Sequence, residues 1–276
     1  MVLSTADEEV DLVHPLTIII GLKCEDGVVI ASDSQQEFGR GVSVKRLNTG
    51  KIYLIGDRFA FAGAGVSAHI EKAVDAIAMG IREGKKHKAG ADLSEDECVS
   101  AMERSMLAIY KVYNIERAKF LGDPKEKEFF SSILIVGCVE AANGQTKGKL
   151  GNHCLFIVHS EGVVEKISDY ATAGSGAAYA ELHLKNSYVK GMKVQEATAL
   201  AYYVIEEVKS IDVNCGGDTR IAIVCPENGV KELSKDDIGG FTGNIVPALN
   251  VVSKEFIPRV LRGEIDVSRL RELLGK

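Results

Sequence analysis

TIIIGLKCEDGVVIASDSQ, residues 17–35, contains two apolar runs that meet at Glu25-Asp26-Gly27 and end on a carboxylate, Asp33. Strand-like runs rich in Val and Ile on either side of an Asp-Gly turn read as a β-hairpin with a buried face. Two readings of Asp33 follow. It closes a turn or caps a helix, or it orients a reactive group on the neighbouring strand. The rest of the chain bears on which.

Downstream, Ile52–Ile55 and Phe59–Ala62 read as a second strand pair across Gly56-Asp57-Arg58. The period then lengthens. Val66, Ile70, Ala73, Val74, Ile77 and Ile81 share one helical face, and Val99, Met102, Met106, Ile109 and Tyr113 share another. Ser94 with Glu97 three residues later predicts a capping box at the start of the second helix. Strands return at 131–140, 152–160 and 163–167, followed by helices over about 177–189 and 194–210. Residues 220–225 and 230–233 form a last hairpin across Asn228-Gly229, and the tail carries amphipathic helices over 251–262 and 266–274. Hairpins interrupted by helix pairs do not alternate as a parallel α/β fold does. The expected class is α+β: a four-layer αββα sandwich, two antiparallel sheets face to face between helix layers. No internal repeat or long linker divides the chain.

The 276 residues are 46% hydrophobic with a formal net charge of −6, which leaves no basic footprint for nucleic acid. No apolar stretch has the length of a membrane span. The first sixteen residues lack the basic and apolar regions of a secretory signal. Cys24, Cys98, Cys138, Cys154, Cys215 and Cys225 are scattered, several inside apolar runs, which fits buried free thiols in a reducing compartment. A soluble cytoplasmic protein is expected, with no nucleic-acid or membrane partner. The six histidines show no metal-ligand spacing, so no metal and no cofactor is expected.

Three glycine-containing motifs remain. AGAGVSA (62–68) spaces Gly63, Gly65 and Ala68 like a dinucleotide fingerprint, but two long helices intervene before another strand. Gly65 is better placed to present a bare N–H at a strand end, as an oxyanion donor requires. AGSGAA (173–178) offers Ser175 as an N-cap between turn glycines. DVNCGGD (212–218) reads as the end of a helix.

Together these stretches, in this order, resemble the proteasome β-type subunits of the N-terminal-nucleophile hydrolase superfamily, archaeal-like, over roughly residues 17–225. The resemblance implies that 1–16 is a propeptide-like segment, that 17–233 is the hydrolase domain, and that 234–276 is an extension. It implies Thr17 as the nucleophile, freed by cutting after Leu16, with Asp33 sixteen residues later as its orienting carboxylate. Lys51 falls on the catalytic lysine if two residues are inserted in the preceding loop. Gly65 falls on the oxyanion donor, and Ser175, Asp212 and Cys215 on the groups that support the threonine. Gly63 and Glu71 match positions that open the specificity pocket and place an acid at its floor in members that cleave after basic residues. A threonine peptidase in a ring assembly is implied, with itself and α-type subunits as partners and unfolded polypeptides as substrates.

The chain also departs from the pattern. Pro15-Leu16 stands where the family has glycine before the threonine, Cys215 stands where it has serine, and residues 116–130 and the tail are additional. Rival readings are an unprocessed silent subunit, a related hydrolase or transamidase outside the degradative proteasome, and a nucleotide-binding module using Gly63 and Gly65.

Overall fold

The computed structural model describes residues 17–38, 45–48, 50–87, 93–116, 119, 132–139, 152–243 and 245–264. Segment 1–16 with Leu16, most of the insertion at 116–130 and the helix expected at 266–274 lie outside the described residues.

The opening hairpin is β1 (Ile19–Lys23) and β2 (Val28–Ser32), with Ile19 opposite Ser32. A separate ribbon, β3 (Gln35–Phe38) and β4 (Lys45–Asn48), precedes β5 (Ile52–Ile55) and β6 (Phe59–Gly65). Helices α1 (Ser67–His87) and α2 (Glu95–Tyr110) follow. Next come β7 (Ser132–Val139), β8 (His153–His159), β9 (Val164–Ile167) and β10 (Tyr170–Ala173). Then α3 (Ala177–Ser187), α4 (Val194–Ile211), β11 (Arg220–Cys225) and β12 (Gly229–Glu232). The described tail is helical in α5 (Lys235–Thr242), α6 (Ile245–Val251) and α7 (Ile257–Leu261).

The strands form two five-stranded antiparallel sheets, ordered β10-β1-β2-β11-β12 and β5-β6-β7-β8-β9. Three apolar clusters define the layers. Ile18, Ile20 and Leu22 pack against Leu184, Val204 and Val208 of α3 and α4. Ile19, Val28 and Ile30 face Ala62, Ile135 and Leu155 of the other sheet. That sheet's far side, with Phe61, Leu134 and Phe156, packs on Ile77, Ile81, Met102 and Met106 of α1 and α2. The expected αββα order is present. It also explains why residues 18–22 are apolar at every position: successive side chains of β1 point into two different cores.

The sheets approach closely at Gly21. A Cβ there would lie 2.5 Å from Ile135 Cγ2 and 2.7 Å from Leu155 Cδ1. The predicted capping box at α2 forms: Ser94 N–H donates to Glu97 Oε2 at 2.8 Å, and Ser94 Oγ accepts from Glu97 N–H.

Among the described residues, five elements were not expected from the sequence: β3, β4, β10, α5 and α6, the last lying ahead of the helix expected over 251–262. β3, β4 and β10 are four-residue strands with too few apolar positions to show a period, and β10 is defined by its pairing with β1. α5 contains Gly239-Gly240, which lower helix propensity, and is started by a capping box between Ser234 and Asp237.

Candidate active site

Thr17 begins the chain's path into β1, and Asp33 follows the last residue of β2. Because Ile19 pairs with Ser32, the two are brought together at the same edge of the hairpin, where Asp33 N–H donates to Ile18 O. Thr17 is 3% exposed and Asp33 fully buried. The Thr17 hydroxyl donates to Asp33 Oδ1 at 2.6 Å. Lys51, just before β5 of the other sheet, donates from Nζ to Thr17 Oγ1 at 2.5 Å and to Asp33 Oδ1 at 2.7 Å.

Asp33 accepts from five donors: Thr17 Oγ1, the Ile18 N–H and Lys51 Nζ on Oδ1, and the Gln35 and Gly216 N–H groups on Oδ2. A carboxylate so surrounded is held in one orientation. Burial holds the Lys51 ammonium below the ordinary lysine pKa, and the attraction of Asp33 only partly offsets this.

The other flank is built by the loops around α3 and α4. Thr17 N–H donates to Ser175 Oγ at 3.3 Å. Ser175 Oγ lies 3.8 Å from Cys215 Sγ, and the Cys215 thiol donates to Asp212 Oδ2 at 3.5 Å. Asp212 is the C-cap of α4. Burial acts to raise its pKa, but hydrogen bonds from Asn214, Ser175 and Cys215 outweigh that and lower it. Burial, with the charge of Asp33 next, pushes the Cys215 thiol up to about 12.

Six of the residues singled out in the sequence, Thr17, Asp33, Lys51, Ser175, Asp212 and Cys215, therefore form one hydrogen-bonded cluster. Gly65 ends β6, the strand beside Lys51, at φ +135°. Gly63 N–H donates to Lys51 O, which ties that strand end to the lysine. Gly63 turns its Cα toward α1, where a Cβ would meet Ile70 Cγ2 at 2.3 Å; the volume its missing side chain leaves is filled by Ile70. Glu71 is exposed on α1, and after burial its charge is the next influence raising the Tyr53 phenol. Both neighbours of β6 are antiparallel, so AGAGVSA sits in no βαβ unit and the dinucleotide reading fails.

Two site residues were missed. Gly174, at φ +103°, brings its Cα against Thr17, where a Cβ would lie 2.1 Å from the Thr17 carbonyl oxygen. Gly216 supplies the N–H on Asp33 Oδ2. In the sequence both read as turn or helix-ending glycines; only the contact across the fold distinguishes them.

Among known proteins, residues 16–118 match the family model for the proteasome subunit. The chain is 24% identical to the proteasome subunit beta of Methanocaldococcus vulcanius, over 83% of this chain and 90% of that one. It is 28% identical to the proteasome subunit beta of Nanoarchaeum equitans, over 79% of this chain and 97% of that one. The proteasome subunit beta 2 of Pyrococcus furiosus is also 28% identical, over 78% and 90%. Along most of its length the chain is similar in sequence to archaeal proteasome β subunits. The family-model match contains Thr17, Asp33, Lys51 and Gly65, whereas Ser175, Asp212 and Cys215 lie beyond it.

Proposed function

We propose that the chain is a threonine-type peptidase subunit whose nucleophile is Thr17 Oγ1 once the bond after Leu16 is cut. The observation that carries this reading is the Thr17 hydroxyl held between Lys51 Nζ and Asp33 Oδ1, with its backbone nitrogen on Ser175 Oγ. Cutting converts that nitrogen into an α-amine with a pKa near ~8, able to take the hydroxyl proton directly or through a water. Lys51, charged and paired with Asp33, stabilises the developing alkoxide. Thr17 Oγ1 then attacks a peptide carbonyl, and the Gly65 N–H receives the oxyanion. The C–N bond breaks as the protonated α-amine gives its proton to the leaving amine. Water hydrolyses the resulting ester, releasing the acid and restoring the Thr17 hydroxyl. Ser175, Asp212 and Cys215 hold the amine by hydrogen bonds.

The likeness to subunits from archaea supports a ring assembly with copies of itself and α-type partners, acting on unfolded polypeptides in the cytoplasm. A preference for cleavage after Arg or Lys rests on the motif match of Gly63 and Glu71, since Ile70 fills the space at Gly63 and Glu71 is exposed. Peptides ending in Arg should then turn over faster than those ending in Leu, and Glu71→Gln should narrow the gap; equal rates for both peptides remove this preference.

The silent-subunit reading has one specific support, Pro15-Leu16 before the threonine. Intact mass separates the two. A mass beginning at Thr17, hydrolysis and epoxyketone labelling, all lost in Thr17→Ala, support the peptidase. A mass retaining Met1 in the assembled particle favours the silent subunit, and undiminished turnover by Thr17→Ala eliminates the mechanism.

A further inference from the structure

We propose that Lys209, on the last turn of α4, is a positioning residue for the Thr17 site; this rests on the peptidase reading above. Its Nζ donates to Glu206 Oε1 at 2.6 Å, to the Gly217 carbonyl oxygen at 2.9 Å and to Thr219 Oγ1 at 3.1 Å. Thr219 Oγ1 in turn donates to Glu206 Oε1 at 2.6 Å. One ammonium thus closes the loop that leaves α4 back onto the helix. Thr219 is buried and the Lys209 side chain is only 14% exposed, so these charge-assisted bonds are not those of a solvated surface pair.

The neighbouring residue of that loop reaches the site. Gly216 N–H donates to Asp33 Oδ2 at 3.1 Å, while its carbonyl accepts from Ser34 N–H at 3.1 Å and Gln35 N–H at 2.9 Å. The loop is seated closely here, since a Cβ on Gly216 would lie 2.2 Å from Gln35 Oε1. Lys209 fixes the Gly217 carbonyl on one side and Asp33 receives the Gly216 N–H on the other. With Oδ2 so held, Oδ1 is aimed at Thr17 and Lys51. Lys209 touches none of the reacting groups and acts through this backbone segment.

The test uses the assembled protein with Thr17 freed and compares Lys209→Met, Lys209→Arg and, as a remote ion-pair control, Lys193→Met. Readouts are kcat and KM on a peptide and hydrogen exchange of the Gly216 amide. Lys209→Met should lower kcat about tenfold with KM within about twofold, the signature of a misaligned rather than an unbound site. Gly216 exchange should quicken, Lys209→Arg should restore most of the rate, and Lys193→Met should behave as the unaltered protein. Unchanged kcat, unchanged Gly216 exchange, or an equal loss in kcat and rise in KM that Arg does not rescue overturns the proposal. Absence of hydrolysis by the unaltered protein refutes the peptidase reading instead, and Gly216 exchange alone then decides whether Lys209 orders the loop.

Discussion

Gly174 sits nearer to Thr17 than any side chain could. A methyl group there would press on the Thr17 carbonyl oxygen, a backbone atom, at 2.1 Å, with Gly174 at φ +103°. Gly174→Ala should therefore displace Thr17 and reduce hydrolysis by about 100-fold or more. Gly191→Ala separates clash from strain. Its φ of +86° carries a similar backbone cost, but nothing lies within 4 Å, so it should lose some thermal stability and keep its activity. Steady-state rates and melting curves of the two variants check this. The site could be read from the sequence where chemistry depends on side-chain type: Thr17, Asp33, Lys51, Ser175, Asp212 and Cys215. Gly174 and Gly216 could not, because their contribution is a backbone atom and the lack of a side chain.

At the scale of elements, long periodic segments were readable and short ones were not. α1 buries Ile70, Ala73, Val74, Ile77 and Ile81 of its marked face and α2 buries Met102 and Met106, while Val66 is exposed ahead of α1 and Tyr113 lies past α2. β3 and β4 are defined by pairing with each other, and β10 by a partner remote in sequence. α5 shows how a helix with two glycines is rescued at its start. Asp237 accepts from Lys231 Nζ and from the Ser234 N–H, and these bonds, Lys231 first, lower its pKa to about 2. The folded value lies below the unfolded one, so the stabilisation is complete above the ordinary aspartate range and is lost as pH falls toward about 2. Asp237→Asn should melt below the unaltered protein at neutral pH, with the difference closing between about pH 4 and pH 2. A pH-independent difference would assign the effect to the cap's shape rather than its charge.

The whole molecule depends on how closely its two sheets meet. Gly21→Ala places a methyl against Ile135 and Leu155, which should destabilise by about 1–3 kcal/mol in chemical denaturation. Ile135→Ala opens a cavity at the same spot, so the double variant should be more stable than the two single losses summed. Additive losses would mean that the sheets relax apart around position 21. The layer order could be read from the chain because hairpins and helix pairs alternate in blocks; the strand order could not, since β10 and β11 enter the first sheet on opposite sides of the opening hairpin. That order has a consequence for synthesis. A growing chain carries Thr17 and Asp33 well before the Gly216 amide that fixes Asp33, which is translated 183 residues after it. The threonine's surroundings are therefore completed only after Gly216 is made, and a chain cut short before it has Thr17 and Asp33 without the amide that fixes the carboxylate.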